Sequence, residues 1–128
     1  MADALEWPIE DIPDGDSLFM RAHRAHIRNG EVDAGVFRSH EGGMSANWNK
    51  YATAAETRQQ ATRNPNDNAV IRLSVGGIRQ VGDLKVEHTP QPSNRAHSEV
   101  FGIPEERSKL TQTRVLLRRL IEIALPLP

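Results

Sequence analysis

Ala69-Val70-Ile71-Arg72-Leu73-Ser74-Val75 is the clearest strand in the chain. Ala69, Ile71, Leu73 and Val75 fall on one face, and Val70, Arg72 and Ser74 on the other. Gly76-Gly77 ends it, Ile78 to Val81 suits a helical turn, and Gly82-Asp83 closes that turn. Leu84, Val86 and His88 then alternate with Lys85 and Glu87, which predicts a second strand. Thr89-Pro90-Gln91-Pro92-Ser93-Asn94 is a loop stiffened by two prolines. Ala96 to Phe101 alternates again, with His97, Glu99 and Phe101 on one face.

Downstream, the pattern predicts an amphipathic helix over 104–124. Pro104 suits a first turn, and Glu105 and Glu106 complement the positive end of the helix dipole. Leu110, Thr113, Leu117, Leu120, Ile121 and Ala124 share a face, with Arg107, Thr111, Arg114, Arg118 and Glu122 opposite. Val115, Leu116 and Ile123 widen the apolar surface, which suits either a helix buried on two sides or a partner-binding face. Pro126 stops the helix.

Upstream, Thr53-Ala54-Ala55-Glu56 is a capping box opening a thinly packed surface helix to about Arg63, ended by Asn64-Pro65-Asn66-Asp67. Leu18 to about His23 alternates as a strand, although Ser17 could instead cap a helix grouping Arg21, Arg24 and Arg28. Asn29-Gly30 is a strong turn signal. Residues 1–16, acidic and broken by Pro8 and Pro13, read as an extended arm in which only Trp7 argues for docking. The expectation is an α+β fold: one domain over 17–126 with a small, mainly antiparallel sheet of four to five strands, a short mid-chain helix and a packed C-terminal amphipathic helix.

Composition narrows the function classes. The chain has 128 residues, one domain's worth, and only 5% are aromatic, so the core is small and mostly aliphatic. Sixteen basic and 17 acidic side chains nearly cancel, so no global positive field holds nucleic acid. Without cysteine there are no disulfides, thiolate chemistry or cysteine-held zinc, which favours a cytoplasmic location. No stretch approaches the roughly 18 apolar residues of a membrane span, so no membrane partner is expected.

Three segments hold the chemically versatile side chains: Arg21 to His26, Met44 to Tyr51, and His88 to His97. His23, His26, His88 and His97 would suffice for a tetrahedral zinc site, but there is no HExxH pattern, so no metal or other cofactor is assigned. Two histidines and an arginine could instead cleave RNA. One removes the 2′-hydroxyl proton, one protonates the leaving oxygen, and the arginine stabilises the charged phosphorus centre. Arg21, Ser45 and Glu99, each on its own strand, also follow the loose order of residue types in ADP-ribosyl-transfer folds. Against these stands a reading with no catalysis, in which Asn94 bonds its own backbone and His97 is a structural histidine.

The stretch Asp16-Ser17-Leu18-Phe19-Met20-Arg21-Ala22-His23-Arg24-Ala25-His26, followed by Gly30, Phe37 and Met44-Ser45, resembles a group of small uncharacterised bacterial proteins. Their chains begin D-S-L-F-R-R-V-H-x-x-H and later run P-x-x-N-x-A-H-x-x-V. Pro92, Asn94, Ala96, His97 and Val100 follow the later segment, with Pro92 one residue nearer Asn94. The similarity spans roughly residues 16–102, with departures at Met20, Ala22 and the longer segment from Trp48 to Asn68. It implies that Arg21, His23, His26, Ser45, Asn94 and His97 form one framework, and implies no activity.

Two functional expectations follow. In the first, the chain is a bacterial toxin or defence effector acting on a nucleotide or RNA phosphate. Arg21 binds phosphate, His97 is general base or acid, Asn94 orients it, and His23 and His26 contribute. Ser45, Trp48, Tyr51 and Arg95 hold the substrate. In the second, it is a non-catalytic binding module or accessory subunit, docking on a protein partner through the helix at 104–124 and its stripe at Leu117 and Leu120.

Overall fold

The computed structural model describes residues 7–128. Strand β1 (Ser17–His23) lies against β5 (Asn68–Ser74) in an unbroken antiparallel register from Ser17↔Ser74 to His23↔Asn68. This pair belongs to a six-stranded sheet with β4 (Gly43–Trp48), β6 (Lys85–His88), β7 (His97–Phe101) and β8 (Glu122–Leu125), in the order β6-β7-β4-β1-β5-β8. Every adjacent pair is antiparallel. The chain is therefore α+β, as its alternation predicts. A separate hairpin joins β2 (Ile27–Arg28) to β3 (Glu31–Val32). Asn29 and Gly30 take φ +53° and +78°, the double left-handed turn whose twist matches a two-residue hairpin.

One face of the sheet is the core. Leu18, Met20, Met44, Ala46, Trp48, Ile71, Leu73, Val86 and Val100 project there from five strands. Val75 and Ile78 of helix α2 (Val75–Arg79) and Phe37 pack over them, with Leu117 of helix α3 (Arg107–Arg118) in the same cluster. Helix α1 (Ala54–Gln59) makes its contacts with β1, β5 and β8. Its Thr53–Glu56 capping box is present in both directions, but the helix ends at Gln59 rather than near Arg63.

Several expectations need correction, beginning with the sheet, which has six strands rather than four to five. The helix expected over 104–124 is only Arg107–Arg118, capped by Glu106, so Pro104 stands outside it. Glu122–Leu125 is instead a strand that covers the free edge of β5. Apolar residues in so short a segment satisfy helical and strand periods alike, and the open hydrogen-bonding edge decides between them. The expected docking stripe also changes, because Leu117 is fully buried and Leu110 and Leu120 are half-buried. Val115 and Leu116 are the exposed apolar residues of α3.

β5 ends at Ser74, just before the expected stop at Gly76-Gly77, and both glycines lie within α2, which Ser74 caps through the Gly77 N–H. Both glycines serve close approach. A Cβ on Gly76 would sit 3.1 Å from the Asp14 carbonyl oxygen, and one on Gly77 2.9 Å from a Leu120 methyl. Val75, expected on the strand, is the first residue of that helix.

The N-terminal arm is not loose where it is described; residues 1–6 of it lie outside the described residues. Ile12 is buried in the core, Arg79 donates to the Ile12 carbonyl and the Asp14 carboxylate, and the Trp48 indole N–H donates to Asp16.

Candidate functional site

The sheet's other face carries the polar residues. Alternation that sends Met44, Ala46 and Trp48 into the core turns Ser45 and Asn47 outward, beside Phe19, Arg21 and His23 of β1 and His97 of β7. Two pockets open there, of about 560 Å³ and 320 Å³. Arg21, Met20 and Ser45 line both, so they adjoin. The larger is completed by Asn47, Thr57, Gln60, Gln91, Asn94 and His97, among others. The smaller adds His23, His26, Arg38 and Asn68. Neither lining contains a carboxylate.

A network of side-chain amides builds the floor of the larger pocket. Asn47 is buried, and its amide donates to Thr57 Oγ1 at 3.0 Å and Gln60 Oε1 at 2.9 Å. Asn94 donates to the Asn47 carbonyl oxygen at 2.8 Å and accepts from the Ala96 N–H at 3.1 Å. Asn94 thus ties the proline-stiffened loop to β4. Among the described residues its side chain makes no hydrogen bond to the His97 ring; Thr89 does. His97 Nδ1 is 2.9 Å from the Thr89 carbonyl oxygen and 3.0 Å from its hydroxyl, while His97 Nε2 faces Ser45 Oγ at 3.4 Å.

Arg21 donates to the Thr57 carbonyl oxygen at 2.9 Å. Among the described residues no carboxylate pairs with it. Partial burial of its guanidinium lowers its pKa from the usual arginine value, yet an arginine stays charged at any working pH. The cleft therefore holds a fixed positive charge with donors to spare.

The structure brings together Arg21, Ser45, Asn94 and His97 in the larger pocket, and Arg21, Ser45, His23 and His26 in the smaller. His23 also accepts from the Ala25 N–H, and His26 bonds Asp33 at 3.2 Å, so each has a local structural partner. His88 is elsewhere. It is buried in contact with Trp48, accepts from the Glu10 N–H and donates to the Arg95 carbonyl oxygen, so both ring nitrogens are spent on backbone. Among the described residues no three His, Asp or Glu side chains gather as a metal site would need.

Trp48, Tyr51 and Arg95, expected to hold substrate, do not line either pocket. They meet the N-terminal arm instead. Trp48 faces the core, Tyr51 and Lys50 hold Glu10, and the Arg95 guanidinium lies 4.0 Å from the Tyr51 ring centre and 4.7 Å from that of Trp7. The misplacement has a simple cause. Trp48 follows Asn47 on a strand, so it must point to the opposite face.

Glu99 is Ser45's direct cross-strand partner. Arg21, Ser45 and Glu99 thus lie on three adjacent strands. The Glu99 carboxylate leans onto Gly43, however, where a Cβ would come within 2.4 Å of it, and it lines neither pocket.

Sequence reasoning missed Thr57, Gln60 and Thr89. Thr57 and Gln60 sit at the end of a helix that reads as thinly packed surface, and no local spacing marks them as partners of Asn47. Compared with protein-family models, with curated proteins and with solved structures, the chain matches none.

Proposed function

We propose that the cleft binds a phosphate-bearing nucleotide or nucleic-acid segment and that His97 transfers a proton there. One observation carries this reading. Arg21 stands at the wall shared by two pockets that contain no carboxylate, with part of its guanidinium unpaired among the described residues. A guanidinium so placed suits a phosphate, which accepts several charge-assisted hydrogen bonds at once. The two pockets divide the ligand by chemistry. The amide-rich one suits a base and sugar, and the one with Arg38, His23 and His26 suits further phosphate. His97, its Nδ1 held by Thr89, offers Nε2 for proton transfer.

A toxin or defence effector acting on nucleotides or RNA would use such a site. The test is binding of adenosine monophosphate and of a short RNA by calorimetry, with growth of cells on induced expression beside it. The wild type binds; Arg21→Ala, equally folded, binds about 10- to 100-fold more weakly. Equal affinity of the two proteins would refute the reading.

Val115, Leu116 and Ile123, all more than two-fifths exposed, support a second reading, docking of a protein partner. In it the contact is Leu116 and its neighbours, not Leu117.

A further inference from the structure

Ser45 stands where the two pockets meet, and its surroundings suit more than ligand binding. His97 pairs with Asn47 across β4 and β7, so it is the diagonal neighbour of Ser45, within side-chain reach on the same face. Ser45 Oγ is 3.4 Å from His97 Nε2. His97 Nδ1 is 2.9 Å from the Thr89 carbonyl oxygen, which can only accept. The Thr89 hydroxyl, 3.0 Å from the same nitrogen, can donate or accept; in the tautomer whose Nδ1–H donates to the carbonyl, Nε2 presents its lone pair to the serine hydroxyl. Hydroxyl, base and orienting acceptor in that order are the parts that activate a serine, and the first contact is commonly long before substrate binds.

We propose that Ser45 is a nucleophile, activated by His97, that accepts a phosphoryl group from the ligand held at Arg21. This rests on the phosphate reading of the cleft. The Ser45 hydroxyl gives its proton to His97 Nε2 as the Oγ–P bond forms. The P–O bond to the leaving group breaks on the opposite side of phosphorus, and the leaving oxygen takes a proton from water. Arg21 neutralises the charge on the phosphoryl oxygens. Water then attacks phosphorus and loses a proton to solvent, the Oγ–P bond breaks, and His97 returns its proton to Ser45. The net change is hydrolysis of one phosphate ester bond, with Ser45 and His97 restored.

The experiment treats the intact protein with a fluorophosphonate, whose P–F bond a serine oxygen displaces with loss of fluoride, and locates the adduct by peptide mass spectrometry. Inorganic phosphate is titrated in parallel and followed by amide NMR around Arg21. The expected result is an adduct on Ser45, absent in Ser45→Ala and about 100-fold slower in His97→Gln. Phosphate shifts are lost in Arg21→Ala, and the spectrum of Ser45→Ala reports its folding. His97→Asn, whose amide can take the place of Nδ1–H, serves if His97→Gln does not fold. No adduct with phosphate shifts intact overturns the nucleophile and leaves the phosphate reading standing. No adduct and no shifts overturn both. An adduct formed equally fast without His97 overturns the pairing, and an adduct without phosphate shifts overturns phosphate transfer as its purpose.

Discussion

Asn94 and Asn47 are joined side chain to side chain at 2.8 Å across 47 residues of sequence, and this bond holds the loop before β7 against the middle of the sheet. Asn47 is the hub, since it also donates to Thr57 and Gln60. Asn47→Ala leaves three polar partners, of which Thr57 is buried, short of a hydrogen bond. The expected cost is roughly 2–3 kcal/mol, read as a lower urea midpoint. Asn94→Ala, at the more exposed end, costs about 1 kcal/mol. Equal costs for the two would show that Asn47 is not the hub.

Arg21 decides the ligand. Arg21→Ala weakens nucleotide binding by about 10- to 100-fold, the range of lost hydrogen bonds to a charged group. Arg21→Lys restores only part, because an ammonium cannot present a planar fork while donating to the Thr57 carbonyl. Calorimetry of the three proteins checks the order, and an arginine-to-lysine swap without effect would point to charge alone.

Glu10 makes the docking of the N-terminal arm sensitive to acid. The Lys50 hydrogen bond, then that from Tyr51, lowers its pKa from 4.5 to about 2, and the same contact raises that of Lys50. A depressed carboxyl pKa adds stability that is complete above 4.5 and disappears as the pH falls toward 2. The wild type therefore loses stability over that window, and Glu10→Gln loses less. Urea unfolding near neutrality and at about pH 3 compares the two. Parallel loss in both proteins would place the acid sensitivity elsewhere.

Leu117 and Leu116 separate folding from docking on α3. Leu117 is fully buried, so Leu117→Asp puts a charge in the core and destabilises by more than roughly 4 kcal/mol. Leu116 is 41% exposed, so Leu116→Asp changes stability by about 0.5 kcal/mol or less. If a protein partner docks on α3, the Leu116 variant loses the complex while its thermal unfolding stays put. A partner bound equally well by that variant would rule this face out.

Alternation and local turn chemistry marked β5, β6 and β7 in the sequence, favoured β1 over a Ser17-capped helix, and marked the Asn29-Gly30 turn and the capped start of α1. These signals are local: a period of two, two residues with positive φ, and a hydroxyl three residues before a carboxylate. The same alternation grouped Arg21 with Phe19 and His23, and His97 with Glu99 and Phe101, each on one face of its strand. What it could not decide is which faces become one face. Strand order set Ser45 between Arg21 and His97, carried Trp48 to the core and Tyr51 and Arg95 to the N-terminal arm, and buried His88 while leaving His97 in the cleft. The free edge of β5 likewise turned the end of an expected helix into β8. Pairing and burial depend on residues dozens of positions apart, so only the tertiary structure decided them.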